Sequence, residues 1–284
     1  MKLRVATCRE LAEPDPDHEP LAAALAAGGF DATWLAWDDP AADWDAPIPT
    51  ILRSTWNYPH QLDAFLGWLA RAAAAAPLYN PLAVCRQNLH KRYLLELAAR
   101  GVPVVPTTLV ERGAAADLAA IAAAAAAHAA PRVVIKPEVG AVSLDTAAFA
   151  PDDPAAAHHL AAITVRGAAL VQPYVRSVDD HGERSLVWID GALSHAIRKS
   201  PRFIGGVDDI TGPFPIADDE RAVARAALAP YGDLLYARVD LARDDAGRPM
   251  VMELELVEPS LFFAYAPGSA ARFAWGLARR LGRA

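Results

Sequence analysis

The 284-residue sequence predicts a mixed α/β protein with an open parallel α/β domain at its N-terminus. Three observations carry that expectation. Strand and helix patterns alternate from Leu3 to about Leu82, Asn80-Pro81 interrupts them, and two hairpin signals follow, Asp190-Gly191 and Asp244 to Arg248, each between apolar runs.

In chain order, Leu3 to Thr7 reads as a strand and His18 to Ala27 as a helix closed by Gly28-Gly29. Ala32 to Ala36 and Thr50 to Arg53 read as strands, and about Pro59 to Ala75 as a helix. Sheets of this kind bind ligands beyond the carboxyl ends of their strands, where Arg53-Ser54-Thr55-Trp56-Asn57-Tyr58-Pro59 begins. Arg53 there either holds a substrate carboxylate through two nitrogens, or stacks on Trp56 or caps a loop. No G-x-G-x-x-G follows the first strand, so dinucleotide binding gets no support.

Beyond Asn80-Pro81, Asn88 reads as the N-cap of a helix that runs to Arg100 and stops at Gly101. Lys91 then sits in a first turn, where the macrodipole disfavours a cation; a bound anion and free solvation both account for it. Val133 to Pro137 is an apolar strand with Lys136 at its exit, reaching either water or a ligand. The loop Gly140 to Thr146 carries two hydroxyls, one of them Ser143, but lacks the G-K-[ST] of a Walker A loop. About Asp153 to Val165 reads as a helix, Ala168 to Gln172 as a strand leading into Pro173-Tyr174-Val175, and Ser185 to Lys199 as a hairpin turned at Asp190-Gly191. Facing residues in that hairpin sum to 381, so Glu183 meets Arg198 with Lys199 beside them; a surface ion pair would look the same. Pro267 to Leu281 reads as a packing helix with Phe273, Leu277 and Leu281 on one side.

The second hairpin, within Val239 to Ser260, gathers carboxylates on poor strand-forming positions. With a turn symmetric about Ala246 and Gly247, facing residues sum to 493 and Asp240 lies opposite Glu253. Period-2 alternation adds Arg238 and Glu255 to that face and puts Met252, Leu254 and Leu256 on the other. Three acids within roughly 5 to 8 Å of one another suit a hard divalent cation, Mg2+ or Mn2+, although a solvated strand face carries acids too.

Composition bounds the function. A net charge of −7 without a long basic patch argues against nucleic-acid binding. The alanine-rich stretch Ala119 to Ala130 is too weakly hydrophobic for a membrane span, MKLRVATC lacks the features of a signal peptide, and Cys8 and Cys85 form no metal-ligand or disulfide pattern. A cytoplasmic protein is the expectation. Only four of the 27 basic residues are lysine, so Lys91, Lys136 and Lys199 stand out as compact point charges in a chain that otherwise uses arginine.

Taken in order, Lys91, V-I-K-P at Lys136, a short loop, L-V-Q-P-Y-V, G-E-R-S-L-V and R-V-D followed by E-L-E resemble the ATP-grasp superfamily, and within it the glutathione-synthetase-like carboxylate–amine ligases. R-S-T-W-N-Y-P and E-L-E-L-V-E-P-S resemble the subgroup that includes the D-cycloserine-forming ATP-grasp cyclase. The resemblance implies a two-lobed ATP-grasp fold behind the α/β pre-domain, with domains at residues 1–87, 88–175 and 176–284.

It further implies that Lys91 and Lys136 hold the ATP phosphates under the loop bearing Ser143, and that Gln172, Tyr174 and Val175 form the adenine hinge. Glu183, with Lys199 beside it, would take the ribose or a neighbouring polar group. Arg198 and Arg238 would stabilise the transferring phosphoryl group, and Asp240, Glu253 and Glu255 would hold two Mg2+ ions. Arg53, Ser54, Glu258 and Ser260 would face the substrate, with Glu258 or Ser260 accepting the amine proton.

The implied reaction is phosphoryl transfer from ATP to a small-molecule carboxylate, then attack by an amine or amide nitrogen, within one molecule or between two. Its substrates would be amino-acid-like, and relatives are often dimers or tetramers. Two departures stand out: Glu255 occupies a position where many relatives carry Asn, and the phosphate loop is poor in glycine. A metal-dependent hydrolase could use the same three acids but has no evident need for the lysines. A non-catalytic nucleotide-binding module would be expected to have lost the acids or the phosphate lysines.

Overall fold

The computed structural model describes residues 1–11, 14–115, 117–128, 130–200 and 209–283. Residue 129 of the alanine-rich stretch lies outside them. The chain opens with β1 (Lys2–Thr7), α1 (His18–Ala27), β2 (Asp31–Ala36), β3 (Thr50–Leu52), α2 (Leu62–Ala75) and β4 (Leu78–Tyr79). These strands form a parallel sheet in the order β2-β1-β3-β4. Gly29 takes a φ of 72°, which lets the chain turn back after α1. A 3-10 turn over Tyr58–His60 carries the chain round Pro59, so α2 starts later than the sequence suggests.

Next come α3 (Leu82–Asn88), α4 (Tyr93–Ala99), β5 (Thr108–Val110), α5 (Leu118–Ala126), β6 (Val133–Pro137), β7 (Ala147–Phe149), α6 (Pro154–Thr164) and β8 (Ala169–Pro173). The helix expected from Asn88 to Arg100 is α4 alone and starts one turn later; α3 is a separate short helix before it. Asn88 ends α3 instead of capping α4, and Lys91 lies in the turn between them. The sheet β5-β8-β6-β7 is antiparallel. Ile121 of α5 and Leu160 and Ile163 of α6 pack on Val133, Ile135 and Val171, leaving the other face for the site.

The last part comprises α7 (Ser177–Asp180), β9 (Glu183–Ile189), β10 (Ala192–Lys199), β11 (Ile210–Phe214), α8 (Asp218–Leu228), β12 (Tyr236–Arg243), β13 (Pro249–Glu255) and α9 (Ser269–Arg280). Its antiparallel sheet runs β11-β10-β9-β12-β13. Asp190 and Gly191 both take positive φ, 44° and 82°, as a two-residue hairpin turn requires. One sheet face buries Leu186, Val239 and Leu254 against Leu94 and Leu97 of α4 and Ala224 and Leu228 of α8. The opposite face changes character along its strands. Val187, Ile189, Ile197 and Tyr236 pack with Val5, Ile51, Phe273 and Leu277, joining this sheet to the N-terminal sheet and α9. Two residues further along the same strands, that face becomes charged.

Two bulges set the register of the charged part. In β9–β10 the pairs beside the turn sum to 381, but the register shifts between Leu193 and His195, so Lys199, not Arg198, lies opposite Glu183. In β12–β13 the pairs nearest the turn sum to 492; an extra residue, Met252, restores 493 for Asp240 opposite Glu253 and Arg238 opposite Glu255. Met252 is thereby displaced from the apolar face it was expected to share with Leu254 and lines the cavity. Among the described residues, no helix is long and apolar enough to cross a membrane.

Candidate active site

A cavity of about 280 Å³ lies between the two antiparallel sheets and the carboxyl ends of the N-terminal strands. Its charged wall is the face of β9, β10, β12 and β13. Arg238 is buried and donates from Nε to Asp240 Oδ1 at 2.9 Å, and its guanidinium also pairs with Glu255. Lys199 lies 3.4 Å from Asp240 and pairs with Glu183. Glu253 lies 3.2 Å from the Lys91 ammonium and 3.8 Å from that of Lys136. Four cations thus interleave with four carboxylates along one wall of the cavity.

The electrostatics follow from that interleaving. Burial opposes ionisation of Asp240 and Glu253, but the cations win: Arg238 and Lys199 draw Asp240 below the usual carboxylate range, and Lys91 and Lys136 draw Glu253 down. Burial, reinforced by Asp240 and Glu253, pushes Glu255 up. Burial lifts Glu183 to about 7, because its partner Lys199 is shared with Asp240. Burial lowers Lys136 despite the pull of Glu253.

Lys91 owes its place to the outer edge of β13, which the α3–α4 turn covers. Asn88 donates to Leu254 O at 2.8 Å and accepts from Leu256 N at 2.7 Å, pairing with the strand as another strand would. Tyr93 Oη accepts from Leu254 N. These bonds fix the α3–α4 turn against the strand, so Lys91 projects between Glu253 and the carbonyl of Gly140, 2.6 Å away on the loop Gly140 to Thr146. In that loop Val142, Ser143 and Asp145 adopt positive φ, the conformations glycine would supply more easily.

Fourteen of the expected site residues line this cavity. Beyond the charged wall they include Ser143 on the loop, Gln172, Tyr174 and Val175 at the end of β8, and Glu258 and Ser260 after β13. Gln172 donates to Thr107 Oγ1 at 2.9 Å, which orients its amide.

Three expected residues are not brought to the cavity. The β10 bulge puts Arg198 on the sheet face opposite Lys199, paired in register with Arg184. Ser54 is buried 3.0 Å from Thr7 Oγ1. Arg53 is fully buried and donates to Asp17 Oδ2 at 3.1 Å, with its guanidinium over the Tyr236 ring.

Sequence reasoning missed the aromatic frame around Glu258. Trp56 Nε1 donates to Glu258 O at 3.0 Å. The Tyr58 hydroxyl faces the Glu258 carboxylate, which burial and Glu255 push up to about 8. The adjacency of Trp56 and Tyr58 to Arg53 was the available signal; their partner lies 200 residues away in the chain, which no local pattern encodes.

Among the described residues, no three His, Cys, Asp or Glu side chains converge as a metal-ligand group. The carboxylates of Asp240, Glu253 and Glu255 are turned toward Arg238, Lys91 and Lys136. The donor chemistry nonetheless fits Mg2+: the three share one wall and offer only hard oxygens.

Over 94% of its length the chain is 39% identical to the cycloserine biosynthesis protein DcsG of Streptomyces lavendulae, 94% of which is covered. The chain belongs to the DcsG family of ATP-grasp ligases. Residues 3–80 match the family model of the D-cycloserine synthetase DcsG N-terminal domain. The crystal structure of D-cycloserine synthetase DcsG superposes with a TM-score of 0.90 at 37% identity, covering 99% of this chain and 100% of that one. An ATP-grasp RimK domain protein from Sphaerobacter thermophilus, at 19% identity, shares the fold with a TM-score of 0.67 over 97% of this chain and 99% of its own. As a member of the DcsG family the protein is an enzyme, an ATP-grasp ligase that forms C–N bonds.

Proposed function

We propose that this ligase closes a D-amino acid on itself, joining its carboxyl carbon to a nitrogen carried on its own side-chain oxygen. D-Cycloserine, the product named for the DcsG relative, is such a ring. Opening its amide bond on paper gives β-aminooxy-D-alanine, which holds the carboxylate and the nitrogen in one molecule. The observation that carries the reading is full-length similarity to DcsG together with a cleft that has phosphate-type cations at one end and a raised carboxyl, Glu258, at the other.

In this reading the three sheets correspond to units 1–87, 88–175 and 176–284, and ATP lies between the last two. Lys91, Lys136 and Lys199 bind phosphate oxygens, the loop at Ser143 covers them, and Gln172, Tyr174 and Val175 receive the adenine. Asp240, Glu253 and Glu255 would hold Mg2+, which neutralises phosphate charge and aligns the γ-phosphoryl group when bound. The phosphates would draw Lys91 and Lys136 away from Glu253 and so free its oxygens. The ATP-grasp ligase PsnB binds Mg and ADP in its crystal structure, and a D-alanine–D-alanine ligase from Bacillus anthracis binds ATP in its own.

A substrate carboxylate oxygen attacks the γ-phosphorus, the bond to the ADP oxygen breaks, and Arg238 stabilises the charge on the transferring group. The substrate nitrogen then attacks the acyl phosphate carbon. The C–O bond to phosphate breaks, inorganic phosphate leaves, and Glu258 accepts the nitrogen's proton. Trp56 and Tyr58 position Glu258 and exclude water that would hydrolyse the acyl phosphate.

The test is ADP release with β-aminooxy-D-alanine, free and N-acylated, alongside detection of D-cycloserine by mass. Glu253→Gln should abolish turnover while leaving the melting temperature within a few degrees of wild type. Near-wild-type turnover would remove the metal from this wall.

A further inference from the structure

We propose that Asp17, which has no part in the roles described so far, is a positioning residue for the substrate end of the site and acts through the segment Glu258 to Phe263; the claim about substrate rests on the cyclase reading above. Asp17 stands at the N-cap position of α1, yet its side chain makes no capping bond to that helix. Its carboxylate instead faces a segment more than 240 residues away in the chain. Oδ2 accepts from Leu261 N, from Phe262 N at 3.2 Å and from Arg53 Nη2 at 3.1 Å, and Oδ1 accepts from Phe263 N at 2.9 Å. Both side chains of the Asp17–Arg53 pair are 1% exposed. The other guanidinium nitrogens of Arg53, Nε and Nη1, find no hydrogen-bond partner among the described residues, so Asp17 is the anion that holds this arginine.

Three consecutive backbone N–H groups aimed at one carboxylate form an anion nest, here filled by the protein's own acid. The segment needs such a clamp because Phe262 adopts a φ of 50°, a left-handed conformation that a bulky residue keeps only when its surroundings over-determine it. The same short segment presents Glu258, Ser260 and Phe262 to the cavity. Ser260 O accepts from Arg238 at 3.2 Å, and that guanidinium lies over the Phe262 ring. Leu261 O meets His195 at 3.0 Å. Asp17 thus fixes, from the N-terminal domain, the backbone that sets the height of Glu258 and Ser260 above Arg238. Among the described residues, the nucleotide end, built on Lys136 and the β8 hinge, has no bond to this clamp.

Asp17→Asn is the discriminating change, because the amide keeps one acceptor and turns N–H donors toward the donors of the nest. Amides of Leu261, Phe262 and Phe263 should exchange with solvent at least ten-fold faster in the variant, while those of β6 and β8 stay as in wild type. The KM for β-aminooxy-D-alanine should rise about ten-fold or more, while the dissociation constant for MgATP, measured calorimetrically, stays within two-fold. Unchanged exchange at 261–263, or a loss of MgATP affinity as large as the rise in KM, overturns the proposal.

Should Asp17→Asn not fold, Arg53→Lys carries the same test, since it leaves the three backbone bonds to Asp17 available and removes only the planar partner. It should raise that KM without moving MgATP affinity, and an unchanged KM counts against the proposal. The two claims fail separately. Wild-type enzyme inactive on β-aminooxy-D-alanine overturns the substrate assignment, whereas the exchange pattern judges Asp17 whatever the substrate is.

Discussion

Glu258 shows how one residue's surroundings set its chemistry. Its carboxyl is pushed up to about 8 first by burial and then by Glu255, so near neutrality it carries a proton for most of the time. In the role of general base proposed above it would work only when ionised, so kcat/KM should rise with pH through about 8, and Glu258→Gln should remove that limb and most of the turnover. The sign of the stability effect is fixed by the same shift. A carboxyl whose folded value exceeds its unfolded value favours folding at low pH and loses that contribution as pH rises from about 4.5 to about 8. Wild type should therefore lose more melting temperature than Glu258→Gln between pH 5.5 and 8.5, by a few degrees. Equal losses in the two proteins would mean that Glu258 is solvated. Glu138 shows the opposite case, since its Arg92 and His90 partners outweigh burial and hold it near 2; its contribution is present above the ordinary value and lost as pH falls toward 2.

The decisive features at the scale of the element are irregularities. Extra residues at Ser194 and Met252 choose which side chain of each strand faces the cavity, and one of them exchanges Arg198 for Lys199. A slip of one residue moves every side chain to the other face, so bulges are as informative as strands. The edge of β13 is the second such feature. Asn88→Ala would leave Leu254 O and Leu256 N unpaired in a buried setting, and it should cost about 2–4 kcal/mol by denaturant titration. It should also raise the KM for ATP, because the turn that aims Lys91 loses its tie to the strand. A cost below about 1 kcal/mol would show that water satisfies the strand edge instead.

The molecule as a whole brings three sheets to one cleft, and ligand binding should couple them. Saturation with ATP and Mg2+ at about 100 times the dissociation constant should stabilise the fold by about 2.7 kcal/mol, since the ligand bridges elements that separate on unfolding. That corresponds to a rise in melting temperature of about 5 to 10 °C. Adding EDTA should cancel most of it if Asp240, Glu253 and Glu255 hold the metal, and Glu253→Gln should show little dependence on EDTA. A full shift persisting in EDTA would mean that the lysines alone bind the nucleotide.

Much of this architecture was legible in the sequence because it depends on local chemistry. Alternating apolar positions, Gly29 and the Asp190-Gly191 turn each fix an element within a few residues, and scarce lysines amid abundant arginine marked Lys91, Lys136 and Lys199. The carboxylates opposite one another on β12 and β13 were legible too, although an inserted Met252 was needed for the expected pairing to hold. What only the tertiary structure decided is which long-range partner each polar group finds. Arg53 meets Asp17, Asn88 meets a strand edge, and Trp56 meets Glu258 across distances in sequence that no periodicity records. The physical reason is that a buried donor or acceptor must be satisfied by whatever the fold brings alongside, and that choice belongs to the packing of distant elements, not to the residue's neighbours in the chain.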